Sequence, residues 1–142
     1  MRKFAKRLIA YEALLNEPPG ANERTVFSVS EKLRPYLSTL MGDGGFRALL
    51  SRALALATVE VPWLQTVQVR ADGTLEGLEE VHTKLPREEI GEGRIVLLAQ
   101  LLGLMAAFIG EILTLLLVRE VWPKIPLNDL DFGKGPKNEK TK

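Results

Sequence analysis

The sequence predicts a mainly α fold: a small helical bundle around a long apolar C-terminal helix, with one β-hairpin at about residues 66–78. Three observations predict it. Apolar residues recur at helical spacing in separate stretches before residue 60, residues 95–118 are almost wholly apolar, and only the stretch around 66–78 alternates as a strand does. With 142 residues, 46% hydrophobic and 26% charged, the chain is long enough for one core and too short for two ordinary domains. The expected organisation is one helical domain over residues 1–125, carrying the hairpin as an insertion, and an irregular lysine-rich tail over 126–142.

The first helix is read over residues 2–16. Phe4, Leu8, Tyr11 and Leu15 follow one another at steps of four, three and four, which places them on one stripe, with Lys3, Lys6, Arg7 and Glu17 pointing elsewhere. It ends in Glu17-Pro18-Pro19-Gly20, which cannot continue a helix. Asn22 is placed to cap a second helix running through Val26, Phe27 and Leu33. Ser28 to Glu31 also fits the Ser-x-x-Glu capping box, which suits a helix starting there. Pro35 falls inside this pattern, so the helix either breaks at Arg34, the favoured reading, or restarts with Pro35 at its first turn and runs to Met41.

Gly42-Asp43-Gly44-Gly45 reads as a turn. Phe46, Leu49, Leu50, Ala53 and Ala57 then form the apolar face of a third helix rich in leucine and alanine, the strongest helix formers. Thr66 to Arg70 and Thr74 to Leu78 alternate around the turn Ala71-Asp72-Gly73, giving the hairpin. An isolated hairpin is marginal, so Val67, Val69, Leu75 and Leu78 must pack on the helices or pair with another strand. Residues 79–93 are acidic, contain Leu85-Pro86, and read as a loop or one short helical turn.

Residues 95–118 hold 19 apolar residues of 24. As one helix they would reach about 36 Å, long enough to span a bilayer. The exceptions are Gln100, Gly103, Gly110, Glu111 and Thr114, which with Ala107 fall within an arc of about 100° on a helical wheel. The rest of the circumference is apolar and needs several neighbours, so self-association or docking on a larger partner is expected. Gln100, Gly103, Ala107, Glu111 and Thr114 are the candidate interface, together with Trp63 and Trp122, because tryptophan is enriched at binding hot spots. Both tryptophans also suit the role of lids over the core at segment ends. Val121-Trp122-Pro123 ends the helix.

Chemistry is largely excluded. The chain has no cysteine and one histidine, His82. Disulfides, thiolate nucleophiles, iron–sulfur clusters and two-histidine metal sites cannot be built from it. The serines Ser28, Ser30, Ser38 and Ser51 carry neither a Gly-x-Ser-x-Gly elbow nor a Ser-x-x-Lys signature. Gly42 to Gly45 lacks the Lys-Ser/Thr ending of a phosphate loop, and Asp129-Leu130-Asp131-Phe132-Gly133 lacks the acid that a calcium loop needs at its twelfth position, where Lys140 stands. No catalytic residue, metal site or cofactor is therefore expected. One exception is Glu79, Glu80, Glu88 and Glu89 around His82, which would suit an acid–base or metal site and define a third reading, an enzyme.

Net charge is +1, unevenly spread. Residues 1–10 carry four bases and no acid, residues 72–93 seven acids against Lys84 and Arg87, and the last ten residues four lysines against Glu139. The basic ends read as solvated termini, and nucleic acid is not expected as a partner, since no aromatics are interleaved with the tail lysines. After Lys6-Arg7 the apolar run stops at Glu12, too early for a secretory signal, so a cytoplasmic protein is expected. The leading functional reading is a non-enzymatic interaction module with itself or another protein as partner. The alternative is a small membrane-associated protein that inserts residues 95–118, aided by the basic N-terminal helix at an anionic surface.

Overall fold

The structure, a computed structural model, describes residues 2–15, 28–71, 73, 75–77 and 84–124. Phe4, Ala5 and Leu8 line one side of α1 (Arg2–Leu15) and are fully buried, while Lys3, Lys6 and Arg7 are exposed, as the stripe predicts. Asn22, Val26 and Phe27 lie outside the described residues. The next helix, α2 (Ser28–Glu60), starts at the serine of the capping-box pattern.

Two boundaries expected inside α2 are corrected. Pro35 does not break the helix, which runs on to Met41 and kinks at Gly42. Proline inside a helix costs about 3 kcal/mol, but Leu33 and Leu37 on either side of it are both fully buried, and each such leucine contributes roughly 1.5–3 kcal/mol. Packing therefore outweighs the local penalty, and Pro35 itself is exposed. Gly42, with φ 82° and ψ 162°, occupies backbone space that only glycine enters without strain. The four-residue turn is thus a single-residue kink, and Asp43 to Gly45 are already helical. Beyond it Phe46, Leu49, Leu50, Ala53, Leu54 and Ala57 are buried on one face.

A 3₁₀ turn, Pro62–Thr66, leads into the hairpin of β1 (Gln68–Val69) and β2 (Leu75–Glu76). The strands are antiparallel, with Gln68 opposite Glu76 and Val69 opposite Leu75. Arg70 pairs with Glu76 at 3.5 Å, and the Gly73 amide donates to the Arg70 carbonyl at 2.9 Å. Val67 and Leu75 join the helical core, so the hairpin packs on the helices of its own chain. Leu78 lies outside the described residues.

The expected single helix over 95–118 is corrected to two. α3 (Arg87–Ile109) starts just after Pro86, taking in residues expected as loop, and carries Glu88 and Glu89 in its first turn, where the helix dipole favours acids. At Gly110, φ 92° and ψ 154°, the chain turns and starts α4 (Glu111–Val121). The long apolar helix is therefore followed by a second, shorter one and is not itself the C-terminal element. Size gives the reason. An unbroken helix from Arg87 to Val121 would be about 52 Å long, whereas a globule of this length has a radius of gyration of about 14 Å. The break lets Val118 and Trp122 return to the core formed by Val96, Leu97, Leu98, Leu101, Leu102 and Met105. Both α1 and α2 pack on α3, which is the central element of the bundle.

Candidate interaction surface

The break at Gly110 decides where each predicted interface residue ends up. Had the helix continued, Gln100, Gly103, Ala107, Glu111 and Thr114 would share one face. On α3, Gln100 and Gly103 are half-buried and Ala107 is exposed, so this half of the stripe looks outward. On α4 the stripe turns inward. Thr114 is completely buried, and its Oγ1 donates to the Gly110 carbonyl at 2.8 Å, which satisfies the hydroxyl within its own helix. Glu111, at the first turn of α4, is half-buried.

Gln100 belongs to a polar edge. Its Nε2 donates to Glu60 Oε2 at 3.4 Å. Arg2 of α1 pairs with the same Glu60 and, at 3.9 Å, with Glu92. Three elements are thereby tied along one exposed margin. Such pairs are worth at most about 1 kcal/mol each, so they fix orientation more than they stabilise.

The two tryptophans separate. Trp122 is 1% exposed and part of the core. Trp63 is half-buried and packs against α3 at Gly93, where an added Cβ would come within 2.3 Å of its ring. Gly93 and Ala107 are fourteen positions apart on the same helix, about 21 Å. The predicted interface residues therefore do not form one patch.

A different group flanks the α3–α4 corner. Phe108 is 73% exposed, Ile112 77% and Leu116 54%; Ile112 and Leu116 lie one turn apart on α4, and Phe108 lies in the last turn of α3 on the other side of Gly110. Ala107 beside them is exposed, and Ile109, Leu113, Leu115 and Leu117 are half-buried. The three large side chains leave on the order of 400 Å² of apolar surface in water, within the range for the largest patch on an ordinary monomer. Leu40 and Val59, the other large exposed apolar residues among those described, stand apart on α2. Sequence reasoning missed the corner because residues 95–118 are apolar nearly all round. Without a polar residue among 108, 112 and 116, periodicity could not mark them as outward-facing. The available signal was Gly110, the residue that could end the helix.

The remaining candidates hold no site that the structure assembles. His82, Glu79 and Glu80 lie outside the described residues, while Glu88 and Glu89 are exposed on the first turn of α3. Among the described residues, no three His, Asp or Glu side chains come together as metal ligands do. At the α2 kink the Arg47 guanidinium sits beside Gly44, and Asp43, the neighbour of Gly44 in the chain, is an acid that opposes an approaching anion.

The fold and surface together define a small helical bundle with a hairpin and one exposed apolar corner. No family model, no curated protein and no solved structure matches the chain.

Proposed function

We propose that this protein is a non-enzymatic helical interaction module of the cytoplasm, which self-associates or docks on a larger protein partner through the corner between α3 and α4. The observation that carries this reading is the exposure of Phe108, Ile112 and Leu116 beside a core that is already closed beneath them by Thr114, Val118 and Trp122. Apolar side chains left outside a complete core gain about 25 cal/mol per Å² when a partner covers them. No nucleic acid is invoked, and no cofactor.

A second reading rests on α3. Its residues Glu88–Ile109 are long enough to cross a bilayer and contain an 18-residue window with a mean hydropathy of 1.7, 44% of which is buried within the bundle. Under that reading the helix leaves α1 and α2 and inserts.

A photo-crosslinking amino acid at position 112 of the full chain, with position 55 on the exposed side of α2 as control, separates the two in living cells. A discrete protein adduct at 112 and none at 55 supports the interaction module. Adducts with lipid favour the membrane reading, and the absence of any adduct at 112 overturns the docking surface.

A further inference from the structure

Resting on that reading, we infer that the α3–α4 corner is a hinge at which two copies of this chain exchange α4, each straightened helix laying its α4 on the core of the other copy. The turn is a single residue. Gly110 closes α3, its amide donating to the Ala106 carbonyl at 3.0 Å, and its carbonyl accepts the first bond of α4, from the Thr114 amide at 3.0 Å. A continuous helix would also pair the amides of residues 111, 112 and 113 with the carbonyls of 107, 108 and 109. Straightening the hinge therefore carries the helical ladder through three more bonds.

What holds the corner closed is the inner face of α4. Thr114 and Val118 are 0% exposed and Trp122 1%, so an α4 swung out of an isolated chain would leave its groove open and a tryptophan in water. A second copy removes that cost. Its α4 is identical, so it already fits the vacated groove, and a reciprocal exchange restores the buried contacts of α4 while both hinges straighten. Short connections favour such an exchange, because the closed chain has little slack in which to turn back.

The exposed apolar residues suit the straight helix better than the bent one. Phe108 precedes Gly110, while Ile112 and Leu116 follow it. On a continuous helix Leu101, Met105, Phe108, Ile112 and Leu116 succeed one another at steps of four, three, four and four, within an arc of about 80°. The bent chain buries the first two and leaves the other three in water. Straightening extends the buried seam of α3 past the hinge, into the space between the two bundles.

The test uses the full chain. Sedimentation equilibrium across the micromolar range compares the wild type with Gly110→Ala and with a chain lengthened by Gly-Ser-Gly after Gly110. The wild type should show a monomer–dimer equilibrium. Alanine strains the closed turn, at φ 92°, and favours the helix, so Gly110→Ala should dimerise at least about tenfold more tightly. The insertion gives the turn slack and interrupts the straight helix; it should fold and stay monomeric, which keeps the test decisive if Gly110→Ala fails to fold. An intrachain distance then identifies the exchange. The chain has no cysteine, so Glu89→Cys with Glu120→Cys, both at exposed positions, carries two spin labels, diluted with unlabelled chain so that a dimer holds one labelled copy. In the dimer these labels should stand about 46 Å apart along one helix, and closer in the monomer, where α4 folds back. A dimer whose intrachain distance equals that of the monomer overturns the inference, as does a wild type monomeric throughout or an insertion that dimerises as well as the wild type. If the chain is monomeric yet position 112 crosslinks to a different protein, the exchange fails and the docking surface stands. If it is monomeric and position 112 gives lipid adducts or none, both fail.

Discussion

Trp63 and Trp122 carry the same sequence signature, tryptophan next to proline at the end of a segment, and the structure gives them different work. Trp122 is sealed in the core against the returning end of α4, so replacing it with alanine removes a full set of buried contacts. Trp122→Ala should cost about 3–5 kcal/mol. Trp63 packs against the edge of the core and over Gly93 of α3 but stays partly in water; its replacement by alanine should cost less. Urea denaturation followed by far-ultraviolet circular dichroism measures both. Equal losses would mean that the two side chains are equally buried. The paired expectation of interface anchor or core lid is resolved toward the lid for Trp122 within the monomer. No local feature could have made that distinction, because it depends on where α4 turns.

At the scale of the element, glycine decides the architecture. Gly110 ends α3 in a conformation that strains any residue with a Cβ, whereas a Cβ at Gly103, in the middle of the same helix, meets nothing within 4 Å. The same substitution should therefore have opposite signs. Gly103→Ala is expected to raise stability by roughly 0.5–1 kcal/mol through helix propensity, and Gly110→Ala to lower it by about 1–3 kcal/mol. Thermal melts of the two variants under one buffer condition check the pair. An increase for Gly110→Ala would show that the straight helix is the better one. Most elements were legible from periodicity: α1, the second half of α2, the hairpin and the apolar character of α3 stand where spacing placed them. The helix ends were less legible. Pro35 sits within a turn whose buried leucines hold it, and the start of α3 at Arg87 was hidden by acids that stabilise a helix N-terminus as readily as they suit a loop.

Among the described residues, the buried apolar side chains of α1, α2, the hairpin, α3 and α4, apart from Ile90, belong to one contiguous cluster. Unfolding is therefore expected to be cooperative. Tryptophan fluorescence, from Trp63 and the buried Trp122, and far-ultraviolet circular dichroism should give superimposable denaturation curves; separated midpoints would mean that part of the fold detaches before the rest. The exposed corner at Phe108, Ile112 and Leu116 lies outside that cluster. Under the proposed self-association, its contribution to stability should appear as a dependence on protein concentration; a stability that does not change with concentration counts against that proposal.

The sequence by itself determined the class of fold, the one hairpin, the absence of thiol and two-histidine chemistry, and a run over residues 95–118 that is apolar nearly all round. Those follow from composition and from periodicities that act over a few residues. Which part of that surface is covered was decided only by the tertiary structure. A helix apolar on nearly every side has no preferred face of its own, so its orientation is set by α1 and α2 packing along it. The single turn at Gly110 then directs Thr114, Val118 and Trp122 inward and leaves Ile112 and Leu116 outside.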